Sequence, residues 1–339
     1  MSLFQTDAWQ SAWWDTWGKD NDLIRVVGWS GGHSGLYLSR YRLKGLLPVS
    51  SLEFVGCSYR LIRSVRTEYN ALPLPSATPD LRSAALDRLL ESTSWSEAVF
   101  SDVPTDSDDL RLLKALAWER GWRLREAARD TAWHVDTCGR FDSYLAALGR
   151  NTRLRLFNRR KLLEGQGIVT EVDAWQNGPE GRDGFFRLLN NFHRQRWGKP
   201  VFGAKALGFQ RLFLDRIVNE GGEPHLSILQ SDGTPISVLY NVRYQGCTYN
   251  IQSGFQESFH PKLSLGILHL GYAIEASFRD PGVRLFDMLA GNGKSSNYKQ
   301  HLANRQCELV SVMVVKNPLL KALYALKDRR ASREVMAPE

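Results

Sequence analysis

Little in this sequence can be stapled together. Its four cysteines, Cys57, Cys138, Cys247 and Cys307, stand singly, with no C-x-x-C pair and no histidine at zinc spacing. That excludes a disulfide framework and a structural zinc site, and predicts reduced, mostly buried thiols. Also missing is any run approaching the ~18 consecutive apolar residues that a membrane-crossing helix needs. The opening MSLFQTDAWQSAWWDTW carries two aspartates and lacks the basic region of a secretion signal. There is no internal repeat, and low complexity is confined to a short charged tail after Lys327. These absences lead to the expectation of a cytoplasmic protein that folds without metals.

What is present is ordinary globular composition. The chain has 339 residues, 43% hydrophobic and 24% charged, enough for a large core and too many for one comfortable small domain. Two packed domains are expected, at 1–138 and 139–330, followed by a tail at 331–339. The formal charge of +8 and pI near 9.3 favour anionic partners such as a nucleotide co-substrate, a phospholipid surface or an anionic glycan precursor. No nucleic-acid reader motif accompanies that charge.

Periodicity predicts mixed α/β structure. Ala8 to Gly18 sets Trp9, Trp13, Trp14 and Trp17 at helical spacing, and strand-like runs follow at 23–29, 35–42 and 46–56. After a proline-rich loop, helix is expected over Leu81–Leu90, strand over Trp95–Val103, helix over Ser107–Arg120 and strand over Trp122–Val135. In the second half, helices are expected over Phe141–Glu164, Arg182–Trp197 and Phe209–Asn219, ending at glycines or at Gly198-Lys199-Pro200. A meander of HLSILQ, PISVLYNVRY and CTYNIQSG turns at Asp232-Gly233 and Gln245-Gly246. Helix over 263–278, the strand VRLFDML, a short helix with Tyr298 and Lys299, and a last strand over Glu308–Val315 complete the pattern. A crossover helix of that length joins parallel strands.

This order, with the segment LFDMLAGNGKSSNYKQHLA, resembles the C-terminal half of the GNAT acyltransferases of the FemAB and CelD (cellulose-biosynthesis) type. In that group a strand ending in an aspartate is followed by a glycine and a Tyr-Lys pair, here Asp287, Gly291, Tyr298 and Lys299. The basic helix RNTRLRLFNRRKLLEGQG extends the likeness over roughly 140–310, and RTEYNALPLP, with Glu68 and Tyr69, is similar to the family's opening features more loosely. The resemblance implies two tandem GNAT-like domains, each a mixed, mostly antiparallel sheet flanked by helices. It also implies an N-acyltransferase taking an acyl group from acyl-CoA, acetyl or longer, to an amine or hydroxyl of an envelope, polysaccharide or lipid precursor.

Acyl transfer from a thioester requires a phosphate site, donors aimed at the developing oxyanion and a neutral nucleophile. Phosphate suits a helix N-terminus, and SFHPKLSLGILHL offers one, with Lys262, Ser264, Leu265 and Gly266 at its first turn and His260 ahead of it. An ordinary capped helix reads the same way. The strict Arg/Gln-x-x-Gly-x-Gly/Ala signature is absent, which keeps open a FemAB-like transferase using aminoacyl transfer RNA, and a GNAT-like binding module without chemistry. Lys299 is the first candidate for the oxyanion or a phosphate, against a solvated lysine. Tyr298 either protonates the leaving thiolate or packs in the core.

An amine of pKa about 10 must lose a proton before attack, and Asp287, Glu68 and His260 are the candidate bases. Asp287 at a strand end equally suits accepting N–H groups of the next turn. Tyr249 and Gln252 are expected on opposite strand faces, with Gln252 the one toward the donor. Arg153 and Arg160, seven apart on one helix, are candidates for an anionic acceptor or donor phosphate. The C-terminal KNPLLKALYALKDRR is amphipathic, either packed on its own domain or peripheral to the inner membrane surface.

Overall fold

The structure, a computed structural model, describes residues 1–291 and 294–335, with the side chains of 294–297 and 329–335 outside that description. In chain order its first elements are α1 (Asp7–Trp13), β1 (Ile24–Val27), β2 (Leu36–Leu43), β3 (Leu47–Phe54), α2 (Pro79–Glu91), β4 (Glu97–Pro104), α3 (Asp108–Glu119) and β5 (Arg123–Asp136). Then come α4 (Phe141–Ala147), α5 (Arg150–Arg153), α6 (Arg160–Glu164), β6 (Val169–Asp173), α7 (Gly178–Trp197) and α8 (Ala204–Ile217). The last are β7 (Glu223–Ser231), β8 (Thr234–Tyr244), β9 (Cys247–Phe255), α9 (Leu265–Arg279), β10 (Leu285–Ala290), α10 (Lys294–Leu302), β11 (Arg305–Val315) and α11 (Pro318–Val335).

Two compact units result, Leu3–Asp130 with Glu308–Glu339, and Thr131–Cys307. This differs from a contiguous division at residue 138. The chain leaves the first unit within β5 and re-enters it within β11, because β11 pairs antiparallel with β4 from Leu309↔Pro104 to Val315↔Glu97. In the first unit the strand order is β1-β2-β3-β4-β11, and in the second β5-β10-β9-β8-β7-β6. Among the registered pairs of the described residues, β3 with β4 and β9 with β10 run parallel, across α2 and α9 respectively, and the rest are antiparallel.

The first unit packs Leu86 and Leu90 of α2 and Leu113 of α3 on Leu52, Phe54, Phe100 and Val312 of the sheet. Leu320 and Tyr324 of α11 pack with Val49, Val99 and Met313. Trp9 and Trp13 of α1 are fully buried, and the Trp9 indole N–H donates to Thr67 Oγ1 at 2.9 Å. The tryptophan cluster is therefore core, not a lipid-facing belt.

In the second unit Leu270 and Ile274 of α9 pack on Val135, Leu239, Phe286 and Met288. Burial of each such side chain contributes ~1.5–3 kcal/mol, and α9, at 15 residues, gains most of its stability from it, since helical stability in proteins comes mainly from packing an apolar face. The opposite sheet face holds α7 and α8: Phe186 meets Tyr240 edge-on with ring centres 5.6 Å apart, and the Tyr240 hydroxyl donates to Gln210 at 2.8 Å.

The single helix expected over 141–164 is broken. Leu148 is extended (φ −71°, ψ 143°), so α4 stops there, and Leu154–Asn158 forms a π-helical turn between α5 and α6. The wider turn delivers Leu156 to the core, where its carbonyl lies so close to α9 that a Cβ at Gly271 would come within 2.3 Å of it.

Candidate active site

The site is built where two parallel strands part. β9 and β10 share the register Leu285↔Cys247, Phe286↔Thr248, Asp287↔Tyr249, and among the described residues their pairing ends there. Both strands bulge immediately beyond. On β9 the partners run Val242↔Tyr249, Asn241↔Asn250, Tyr240↔Gln252, which leaves Ile251 unopposed. On β10 the register against β5 passes from Asp287↔His134 to Ala290↔Ala132, and Leu289 adopts φ +59°, a left-handed backbone rare for a branched side chain. Past Tyr249, β9 thus has no registered partner on β10 among the described residues, and backbone N–H groups at such a parting are the kind of donors a developing oxyanion uses.

One face of the sheet carries a row of polar side chains at this level. His134, Asp287 and Tyr249 are cross-strand neighbours on β5, β10 and β9, while Val135, Phe286 and Met288 point oppositely, into the α9 core. Gln252 joins the row. Its partner Tyr240 is two residues from Val242, the partner of Tyr249, so the extra residue at Ile251 returns Gln252 to the Tyr249 face, where uninterrupted alternation places the two oppositely. Gln252 Oε1 accepts from the Ser253 N–H at 3.0 Å.

Asp287 is 2% exposed, and its Oδ1 accepts from the Leu289 N–H at 2.7 Å, so it does bind the turn that follows. The same oxygen lies 3.3 Å from His134 Nε2. No sequence motif marked His134. It comes from the strand that pairs with β10 from the other half of the chain, and only tertiary register brings it to the aspartate.

Lys299 is buried, and its ammonium donates to the carbonyl oxygens of Leu289 and Ala290 at 3.0 and 3.2 Å. Positive charge is thus fixed at the bulged end of β10 rather than solvated. The ring of Tyr298 packs against the cluster around Phe286, and burial pushes its pKa up, so its phenol stays protonated.

At the first turn of α9, Ser264 makes no side-chain capping bond and no acidic residue follows. His260 Nδ1 accepts from the Lys262 N–H at 3.1 Å, shaping the approach, and Lys262 is exposed. Leu265 is core, and Gly266 sits so tightly on Phe255 that a Cβ would fall 2.5 Å from the ring. The helix start is thereby held against the end of β9, with packing as the reason for the glycine.

The remaining candidates lie elsewhere. Glu68 and Tyr69 belong to the first unit: Glu68 is buried 3.6 Å from Arg66, which also binds Asp102 and Asp130, and Tyr69 has φ +54°. Arg153 and Arg160 do not share one helix face, because the π-helical turn intervenes. Arg160 pairs with Glu275 and stacks 4.0 Å over Tyr272 and 4.5 Å over Phe157, while its Nε and Nη2 are buried without a hydrogen-bond partner.

Residues 150–300 match the family model for the Acetyltransferase (GNAT) domain. Among curated proteins, none is detectably similar in sequence. Among solved structures, FemX is similar with a TM-score of 0.58 at 14% identity, over 92% of this chain and 93% of that one. A conserved protein of unknown function from Bacteroides thetaiotaomicron VPI-5482 is similar with a TM-score of 0.50 at 11% identity, over 92% of this chain and 90% of that one. The parted strands β9 and β10, the bulge on each and the start of α9 thus lie within the residues that match the GNAT acetyltransferase model, in a chain whose fold is similar to that of FemX.

Proposed function

We propose that the protein is an N-acyltransferase moving an acyl group from acyl-CoA to an amine of an envelope, polysaccharide or lipid precursor. The observation that carries this is the parting of β9 from β10 beyond Tyr249 and Asp287, with a bulge on each strand at that point. A pantetheine arm is extended and amide-bearing, and an opened parallel pair offers it backbone partners. The phosphates then fall to the first turn of α9, where Ser264 leaves the N–H groups without a side-chain cap, no carboxylate competes and Lys262 supplies charge.

Within this reading the N–H groups of β9 past Tyr249 and the ammonium of Lys299 stabilise the oxyanion, while Tyr298 stands as the acid for the departing thiolate. The acceptor lies over the row of His134, Asp287, Tyr249 and Gln252, on the face turned away from α9. The test is retention of acyl-CoA by the purified protein and thiol release with a panel of amines. Absence of both ends the reading and leaves a binding module.

Transfer from aminoacyl transfer RNA is the second reading, supported by the likeness to FemX and the charge of +8. Retention of aminoacyl transfer RNA without retention of acyl-CoA would select it.

Contact with an anionic membrane surface belongs to the same proposal. α11 buries Leu320 and Tyr324 but leaves Leu319, Leu323 and Leu326 at 63%, 47% and 56% exposed, beside the exposed Lys327. No helix among the described residues is long and apolar enough to cross a membrane. Co-sedimentation with phosphatidylglycerol vesicles, lost on L323E/L326E, tests it.

A further inference from the structure

We infer that Arg196 selects the acceptor, and that the acceptor is an amine carrying a carboxylate. The inference rests on the acyl-transfer reading and deepens it by naming the acceptor's class. The acceptor face of the sheet, turned away from α9, is the face on which α7 packs, and the last turns of α7 lie against the end of β9. There the contact is tight and pinned. A Cβ at Gly254, two residues along β9 from Gln252, would come 3.0 Å from Leu189, and His193 Nε2 donates to the Ser253 carbonyl at 2.9 Å. Asn190 holds both the N–H and the carbonyl of Phe202, at 3.0 and 2.9 Å. The turn that begins at Gly198, with φ +71°, is therefore fixed at both ends, and it presents Arg196 and Trp197 in one place.

Arg196 differs from an ordinary cation at a helix end. One in the last turn offsets the macrodipole wherever it points, as Arg194 does while bonding Asn191 on its own helix at 2.9 Å. Arg196 instead reaches off the helix to the end of β9. Its guanidinium carbon lies 4.9 Å from the ring centre of Phe255 and 4.7 Å from that of Trp197, and its Nε is 2.6 Å from Glu257 on the loop that leads to α9. On the far side of the parting, Tyr298 feels the same charge: burial raises its pKa, and Arg196 draws it back down. The guanidinium thus stands at the mouth between the parted strands, within electrostatic range of the phenol assigned to the departing thiolate.

What it can take follows from its edges. Among the described residues Glu257 is the one carboxylate on Arg196, and it sits at Nε, so the two terminal nitrogens hold none, in a side chain 37% exposed. That terminal edge matches a planar carboxylate with two parallel N–H donors. The two rings against the guanidinium displace water, which strengthens such a bond. A diphosphate fits less well, because Glu257 already sets a negative charge at the same group, whereas the start of α9 has no acid in its first turn. Beside the arginine, Trp197 is 54% exposed and offers a flat apolar surface to the chain that joins amine and carboxylate.

The experiment measures thiol release from acyl-CoA by wild type, R196Q and R196K with three amines of similar length: γ-aminobutyrate, aminopropyl phosphate and butylamine. Circular dichroism and acyl-CoA retention establish that each variant is folded and binds donor. Wild type is expected to use the carboxylate best. In R196Q, kcat/KM for γ-aminobutyrate should fall by about 10- to 100-fold, the usual loss with one hydrogen bond to a charged group, and butylamine by less than about threefold. R196K keeps the charge without the fork, so part of the preference should return, and added salt should weaken the preference in wild type. An R196Q that loses all three amines equally makes Arg196 structural. One that raises KM for acyl-CoA while keeping the acceptor preference gives Arg196 to the donor's phosphates. Either result overturns the inference and leaves acyl transfer standing, as does a wild type that prefers the phosphate or butylamine. A wild type that retains no acyl-CoA and releases no thiol overturns the acyl-transfer reading and this inference with it.

Discussion

The two units are built on the same unit of topology and differ in what fills it. Each contains a strand, a helix and a second strand parallel to the first: β3–α2–β4 with Ser51↔Glu97 to Glu53↔Val99, and β9–α9–β10 with Cys247↔Leu285 to Tyr249↔Asp287. Each second strand has one left-handed residue near its end, Asp102 at φ +49° and Leu289 at φ +59°. In the first unit the polar groups beside the parallel pair satisfy one another. Glu97 accepts from the Tyr41 and Tyr324 hydroxyls at 2.6 Å and pairs with Arg60, and Glu53 accepts from the Tyr59 N–H at 2.6 Å. The helix starts differ as well, since α2 carries Asp80 in its first turn and α9 has no acid there. A carboxylate already supplies the negative charge that the α2 dipole favours, so that terminus repels phosphate. One scaffold thus serves as a self-contained ionic core in the first unit and, under the proposed function, as a working site in the second.

Exchange of the central charged group should separate these uses most widely. Lys299→Met is expected to lower kcat by about 10²–10³, the usual loss for one oxyanion donor, with acyl-CoA retention within a few-fold. Arg60→Met should do the reverse. It leaves Glu97 buried among tyrosines without its cation, and removal of one partner of a buried pair costs about 3–5 kcal/mol; Arg60 is 23% exposed, so the lower end applies. Urea unfolding and thiol release on both variants check the contrast. Equal losses of stability in the two would mean that Lys299 is as structural as Arg60.

The units should also respond to pH with opposite signs. Burial pushes Glu53 up to about 7, so the folded first unit binds a proton that the unfolded chain releases above ~4.5. Its stability should therefore fall as pH rises from about 4.5 to 7, by on the order of 1–3 kcal/mol. In the second unit His269 is wholly buried between Ser227 Oγ at 2.8 Å and Ser237 Oγ at 2.9 Å, and burial pushes its pKa down. The unfolded chain takes up that proton as pH drops through ~6.5, so stability is lost on acidification. Glu171, held down to about 2 by the His269 imidazole 3.8 Å away and by the Ser227 hydroxyl that donates to it, extends the loss below ~4.5. Hydrogen exchange corrected for intrinsic rates, at pH 5 and 7.5, should show α9 and β7 loosening in acid while β3 tightens. Glu53→Gln should abolish the β3 effect alone.

How much of this the sequence carried depended on range. The strand–helix–strand order of the second half was legible because its periods and turns are local: Asp232-Gly233 and Gln245-Gly246 fall between β7, β8 and β9. Asp287 and Lys299 were legible through their resemblance to a family pattern. The bulge at Ile251 was not, since a bulge is a property of two strands, and so the face of Gln252 was misjudged. His134 was invisible for the same reason. Arg153 and Arg160 misled because a basic run looks like an unbroken helix, whereas the core's demand for Leu156 forces the π-helical turn. The return of β11 to the first unit was equally hidden, being a pairing with β4 across most of the chain.

The smallest change should convert one helix start into the other. Ser264→Asp places a carboxylate at the α9 N-cap, close to where Asp80 provides one in the first turn of α2. A capping aspartate adds about 0.5–1 kcal/mol to the helix, so the melting temperature should rise by a degree or two. The same charge would meet the donor's phosphates, and a repulsion of about 0.3–1 kcal/mol corresponds to a roughly two- to fivefold higher KM for acyl-CoA at low salt, shrinking as salt is added. The gain in stability and the loss in affinity share one cause, so they must appear together. A variant that melts higher yet binds acyl-CoA as before would place the phosphates elsewhere and remove α9 from the site.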